Sequence, residues 1–392
     1  MTLRNGRQFM AIPGPTTVPD EVLAAMQRPA IDIYTGELNT ITDTCLADLK
    51  RLFRTEAETY IYIANGHGGW EAALTNTLSR GDKVLVLESG LFAVGWGEVG
   101  RMIGIEVEVL KGGWNRAVDP AVLEARLRAE KAGEIKAVLV VQIDTASSVV
   151  NDIPALRRAI DAAGHDALFM VDTIASLGCM PFEMDDWGVD LCLTGAQKGL
   201  MCPPGLAFLA AGKRAKQAHA VANLRTFYWD WTFRDGPLHY QKYCGTPPEH
   251  LLFALRKSFD LLFAEGLENA WRRHRMLAAA THAAVTRWAQ AGAISFNIAS
   301  AQQRSASVTT VLMDDPQPLL DFTRETCGTT LGLAIGELSG KAIRIAHMGH
   351  CNAPMLLGTL GVIELGLKHL GIAHGEGGPE AAIASLAKDL QS

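Results

Sequence analysis

Apolar and polar positions fall in blocks along this chain, and from residue 60 onward the blocks read as strand, turn and helix in repeated succession. Short, mostly apolar runs rich in β-branched residues stand at 60–64, 83–87, 137–141, 167–171 and 189–193, as expected of strands covered on both faces, and the alternating Glu106-Val-Glu-Val-Leu110 reads as one more strand. Between them, apolar residues recur at helical spacing: Trp70, Ala73, Leu74 and Leu78 share one face, and helices are expected over 92–103, 119–132 and 154–160. This order predicts an α/β fold with a mostly parallel, doubly wound sheet and right-handed crossovers. A proline turn at 201–204 leads into one more strand, expected to be antiparallel and near the rim of the sheet.

The flanking regions follow other patterns. Residues 12–19 hold three prolines, at 13, 15 and 19, too many for a helix or a central strand, so an extended arm is expected, long enough to pack on a partner subunit. Residues 224–243 are dense in aromatics without periodicity, which suggests a subunit boundary. Two long amphipathic helices follow at 247–264 and 267–289, the second with Arg272, Arg273, His274 and Arg275 expected on its solvated face. From 293 the chain mixes short strands (306–312, 342–347) with helices (319–326, 355–370), an α+β pattern. The expected organisation is an arm over 1–18, a large α/β domain over 19–260 and a smaller α+β domain over 261–392. The chain holds no internal repeat.

Composition narrows the function. With 392 residues, 48% hydrophobic, 20% charged and a net charge of −6, the chain has neither a basic block for nucleic acid or anionic membrane nor a run long enough to span a bilayer. A small-molecule substrate is expected. Seven scattered cysteines without a CxxC pair point to reduced thiols in the cytoplasm and away from zinc or any other metal.

The candidate chemistry lies where two of the expected strands end. Asp172 follows the 167–171 run, and Lys198 follows the 189–193 run within Thr194-Gly-Ala-Gln-Lys-Gly199. Carboxyl ends of strands in an open α/β sheet border the ligand crevice, so both side chains are expected in one pocket. A buried Lys and a buried Asp from different strands suggest pyridoxal phosphate, with Lys198 as the Schiff-base amine and Asp172 paired with the pyridine nitrogen. A solvated turn for Lys198 and a helix cap for Asp172 are the rival readings. The glycine turn at Gly66, His67 and Gly68, between a strand and a helix, offers backbone N–H groups to a phosphate. Phe92 opens a helix at the same edge, where its ring either stacks on a planar cofactor or joins the core. Thr145 offers a hydroxyl there or caps a turn. Arg344, on a short apolar strand, needs an anion, either a substrate carboxylate or a structural partner. Tyr34 sits in an irregular segment that reads as a surface loop.

Taken together in chain order, Pro13 to Thr16, Gly68 to Ala72, Asp172 in VDTIAS, Gln197 and Lys198 in TGAQKG, Gly266 to Asn269 and Arg344 in GKAIRIAHMG resemble class V, fold-type I pyridoxal-phosphate aminotransferases. The alanine:glyoxylate and serine:glyoxylate enzymes are the nearest subgroup. The resemblance implies a homodimer with shared active sites and makes Lys198 the covalent anchor and Asp172 the pyridinium partner. It sets Phe92 on the ring and Thr145 at the 3-oxygen edge. Gly66, His67 and Gln197 would meet the phosphate, with Tyr243 and Thr246 reaching the phosphate of the opposite subunit and Arg344 gripping the α-carboxylate. It further implies ping-pong transfer from a small L-amino acid to glyoxylate or another small 2-oxo acid. The chain departs from the serine-type enzymes at 32–35, where Asp-Ile-Tyr-Thr stands for Asp-His-Arg-Ser and puts Tyr34 in place of a basic residue at the substrate mouth. Pyridoxamine:pyruvate aminotransferases carry a tyrosine in a similar place and are the alternative, followed by a cysteine desulfurase-like lyase.

Overall fold

The computed structural model describes residues 2–391. In chain order the strands are β1 (Phe9–Ala11), β2 (Glu58–Ile63), β3 (Lys83–Leu87), β4 (Glu106–Leu110), β5 (Ile135–Val141), β6 (Ile143–Asp144) and β7 (Val149–Val150). They continue with β8 (Leu168–Asp172), β9 (Leu191–Gly195), β10 (Leu206–Ala211), β11 (Ser295–Phe296), β12 (Val308–Leu312), β13 (Thr329–Leu333) and β14 (Ala342–Ala346).

A seven-stranded sheet runs β2-β10-β9-β8-β5-β3-β4, parallel throughout from β9 to β4. Period-two burial explains why these strands read as solid apolar runs. On β8, Phe169 and Val171 enter the core on one face while Leu168 and Met170 enter the core on the other. The chain leaves β3 for β4 on one side and returns to β5 on the other, so the strand order reverses between β3 and β5. Strand β10 is antiparallel, as expected, but it lies one position inside the edge, with β2 closing the sheet beyond it.

A second sheet, β1-β13-β14-β12-β11, carries Arg344 at its centre. The N-terminal arm contributes its edge: β1 pairs in parallel with β13, and the arm then passes over the first sheet, where the Thr16 N–H donates to the Gln197 carbonyl at 3.0 Å. The arm is therefore engaged with its own chain. Apolar residues of the Leu267–Trp288 helix and the Ala353–His369 helix cover this second sheet.

The Arg272–Arg275 face differs from expectation. Arg272 and Arg275 are exposed, but His274 is buried and accepts the Gly349 N–H at 2.9 Å. Arg273 pairs with Glu265 and donates to the carbonyls of Gly349 and Cys351. The run of basic residues suggested one solvated stripe, yet a helix turns about 100° per residue, so Arg273 and His274 meet its neighbours while Arg272 and Arg275 meet solvent.

Candidate active site

The carboxyl ends of β5, β8 and β9 open onto a cavity of about 290 Å³, at the small end of the range for ligand pockets. Val141, the last residue of β5, is in register with Asp172, the last of β8, so the sheet itself presents the carboxylate at the pocket floor. Lys198 enters from the turn after β9. Gly66, His67, Phe92, Thr145 and Gln197 line the same cavity.

Asp172 is 2% exposed, and burial pushes its carboxyl up to about 7 against the opposing pull of the Ile174 N–H at 2.7 Å and the Trp70 indole N–H at 2.6 Å. Lys198 is 8% exposed, and burial, aided by the Arg344 charge, brings its ammonium down to about 8. Its Nζ donates to the Pro13 carbonyl, stands 3.4 Å from the Thr145 hydroxyl and lies 5.8 Å from the centroid of the half-buried Phe92 ring. Gly14 is required beside it: the backbone there has φ +103°, and a Cβ would overlap the Lys198 side chain. The amide oxygen of Gln197 is buried with no hydrogen-bond partner.

The glycine turn is helical from its first residue. Asn65 caps the Gly66–Thr77 helix by accepting the N–H groups of His67 and Gly68 at 3.1 and 3.4 Å, which starts the helix earlier than the glycines suggested. Gly66 is buried, where a Cβ would overlap Ile174. Gly68 falls just outside the cavity wall, and a Cβ there would crowd Ala64 and Trp229.

Asp144 was not singled out from the sequence. Fully buried, it accepts the N–H groups of Phe92 and Ala93 at 2.9 and 3.0 Å through one oxygen and that of Ala146 at 2.9 Å through the other. It thus caps the Leu91–Met102 helix, whose own N-cap, Gly90, has no side chain, and so sets the position of Phe92. A helix opening on glycine without a Ser, Thr, Asp or Asn cap was the available signal.

Arg344 is 8% exposed. Its Nε donates to the Leu333 carbonyl at 2.6 Å and its Nη1 to the Thr145 carbonyl at 2.9 Å. Among the described residues no carboxylate pairs with it, so the structural salt bridge is not formed. Burial brings its guanidinium down to about 10, with Asp144 opposing that shift.

Arg344 reaches the cavity only through Thr145 and does not line it, and Tyr34, Thr246 and Tyr243 stand apart from it as well. The side chain of Tyr34 is 69% exposed in the 31–36 loop. Thr246 is exposed, and Tyr243 is buried with its hydroxyl 2.7 Å from that of Thr42. Tyr243 lines instead a larger hollow of about 670 Å³ with Lys216 and Asp235, which already pair with each other. Among the described residues no cluster of side chains could hold a metal ion, and no helix is long and apolar enough to cross a membrane.

Comparison with known proteins agrees with this geometry. The family model described as aminotransferase class-V matches residues 9–326. A serine–glyoxylate aminotransferase of Methylorubrum extorquens is 37% identical, with 99% of this chain and 98% of that protein covered. An L-aspartate–glyoxylate aminotransferase of Paracoccus denitrificans is 36% identical over 92% of this chain and 91% of its own length. Among solved structures, the pyridoxamine-pyruvate aminotransferase of Mesorhizobium loti superposes with a TM-score of 0.90 at 26% identity, covering 99% of this chain and all of that one, 100%. On the family match and the near-complete coverage of these relatives, the chain belongs to the class-V aminotransferases, with the fold-type I architecture expected of them.

Proposed function

We propose that this chain transfers the amino group of a small L-amino acid, of the alanine or serine type, to glyoxylate or another small 2-oxo acid, in two half-reactions at a pyridoxal-phosphate site shared by a homodimer. The observation that carries this reading is a buried lysine amine and a buried carboxylate facing one cavity, with a guanidinium that has no carboxylate of its own, Arg344, bonded to Thr145 in that cavity's wall.

The residues fit the cofactor. The Gln197 side chain, through its amide NH2, and the N-terminal turn of the Gly66–Thr77 helix, with His67, suit a phosphate; the Phe92 ring suits a planar heterocycle, and Thr145 its oxygen edge. When bound, pyridoxal phosphate supplies an aldehyde for the lysine and a ring that withdraws electrons from the substrate's Cα. Lys198 would hold that aldehyde, and its amine, as the free base, would take up and return the proton at the substrate's Cα. Burial helps here, because an ammonium brought down to about 8 yields a useful neutral fraction near neutral pH. Asp172 keeps a proton on the ring nitrogen. Arg344 binds the substrate carboxylate, where a planar fork of donors holds it in one orientation.

The Tyr243 and Thr246 roles belong to the dimer in this reading and rest on the family resemblance: neither side chain lines its own chain's cavity, and Tyr243, buried with its hydroxyl on Thr42, would have to release that bond to reach a partner's phosphate. Tyr34, exposed in the single chain, would likewise meet substrate at the assembled mouth. The division at residue 260, placing Arg344 in a smaller unit, and a cytoplasmic location are part of the same proposal. The pyridoxamine:pyruvate reading has the fold likeness to the Mesorhizobium loti enzyme in its favour, but an unphosphorylated substrate would leave the helix N-terminus at Gly66 and the Gln197 amide NH2 without the anion they suit. A desulfurase-like lyase would need a cysteine at the cavity, and none lines it.

The test is a pair of half-reactions. Protein reloaded with pyridoxal phosphate should lose its visible absorbance on adding L-alanine or L-serine and regain it on adding glyoxylate. Protein that remains unchanged with every amino acid offered would refute the proposal.

A further inference from the structure

Asp172 has two protein donors, one for each oxygen. The Ile174 N–H belongs to the same turn and would accompany any aspartate there, whereas the Trp70 indole comes from a different element, the Gly66–Thr77 helix. Trp70 is 1% exposed and held on several sides: its ring stacks on Trp96 at 6.3 Å and 15°, and His67 meets it edge-on at 4.5 Å. An indole N–H only donates. Its contact with Oδ2 is therefore strongest when Asp172 is ionised, and it has no means of accepting a proton from the acid form.

We propose that Trp70 is a positioning residue for the reaction, fixing the plane of the Asp172 carboxylate and biasing the proton shared by that carboxylate and the cofactor's ring nitrogen toward the nitrogen. This rests on the role of Asp172 proposed above. Burial favours the neutral acid, and a neutral acid would leave the ring nitrogen as a plain acceptor; the indole opposes that tendency at close range and inside the protein, where a hydrogen bond to a charge is strongest. Trp96 provides the internal control. It is as large, fully buried and stacked on the same ring, yet its Nε1 has no partner.

The experiment compares Trp70→Phe with Trp96→Phe. In cofactor-free protein, Asp172 protonation is followed through the carboxyl carbon chemical shift of labelled aspartate; in reloaded protein, ring protonation is read from the chemical shift of an isotope-labelled ring nitrogen. Loss of one hydrogen bond to a charged group should raise the proton affinity of Asp172 roughly tenfold or more and move the ring nitrogen toward the neutral-pyridine position. Trp96→Phe should leave both signals at the wild-type position while costing comparable thermal stability. Replacing Trp70 with benzothienylalanine, which keeps the bicyclic shape and exchanges N–H for sulfur, should reproduce the Trp70→Phe shifts without opening a cavity.

Unmoved signals in either Trp70 variant, or equal movement in Trp96→Phe, would overturn the inference. Asp172→Asn separates it from the reading beneath. A neutral ring in Asp172→Asn with an unmoved ring in Trp70→Phe defeats the Trp70 role alone, and a protonated ring in Asp172→Asn defeats both.

Discussion

Arg344 and Thr145 join the five-stranded sheet to the two-stranded β6–β7 sheet: the guanidinium Nη1 of β14 donates at 2.9 Å to the carbonyl of Thr145, in the turn between β6 and β7, beside the Lys198 amine. A buried guanidinium without a carboxylate is costly, and two carbonyl acceptors satisfy only part of it. The unmet demand is what an anionic substrate would answer.

Arg344→Ala should therefore raise KM for both amino acid and 2-oxo acid by about 30-fold or more, the equivalent of roughly 2 kcal/mol or above for truncating one partner of a buried charge pair, while kcat falls less. Arg344→Lys should recover little of this, since an ammonium lacks the planar fork. Steady-state kinetics at fixed cofactor saturation checks it; an unchanged KM would demote Arg344 to a bridge between the sheets.

Lys198→Ala should lower transamination by roughly 10³-fold or more, because anchor and proton carrier are lost together. The variant should still bind pyridoxal phosphate reversibly, without the absorbance of the attached form. Spectra before and after dialysis separate the two states.

Cofactor-free protein should show two opposed pH slopes in chemical unfolding. Burial raises Asp172 from 3.8 to about 7, so the folded chain binds the extra proton and its contribution, full below 3.8, is lost as pH rises through 7. Lys198 is lowered from 10.5 to about 8, so its contribution is full above 10.5 and lost as pH falls through 8. These two groups together thus give a stability minimum between about 7 and 8. Asp172→Asn should flatten the acid-side slope and Lys198→Met the alkaline-side one, each leaving the other in place.

Asp144→Asn should destabilise the protein by about 1–3 kcal/mol, since one oxygen can no longer accept the N–H of Ala146 or the pair from Phe92 and Ala93. By loosening the start of the Leu91–Met102 helix it should also weaken pyridoxal phosphate binding through Phe92. Unfolding curves and cofactor titration should move together; a change in stability alone would confine Asp144 to capping.

Gly14→Ala should be harmful out of proportion to one methyl group. With φ at +103° and the Lys198 side chain against the missing Cβ, the alanine would strain the arm by about 1–3 kcal/mol and displace the amine. Reduced cofactor loading with an intact far-ultraviolet circular dichroism spectrum is the expected signature.

The doubly wound sheet was readable because its strands are covered on both faces and so appear as uninterrupted apolar runs with turns at their ends. Asp172 and Lys198 were readable for the same reason, since a polar residue directly after such a run, or in the turn that follows it, lies at the sheet's carboxyl edge. Periodicity is a local property, and it told nothing of contacts between distant segments. The Trp70 indole looked like one more apolar position on a helix face, although its N–H meets Asp172 across 102 positions. Asp144 looked like the end of a strand, although it caps a helix 52 positions earlier. The proline arm read as extended and able to pack on a partner subunit, whereas within its own chain β1 pairs with β13 and Pro13 meets Lys198. What the amino-acid order determined was the set of strand ends and the chemical groups they carry. Which donors reach those groups, and how far burial shifts their protons, was decided only when the chain closed on itself, because desolvation and hydrogen bonding depend on neighbours that no local pattern names.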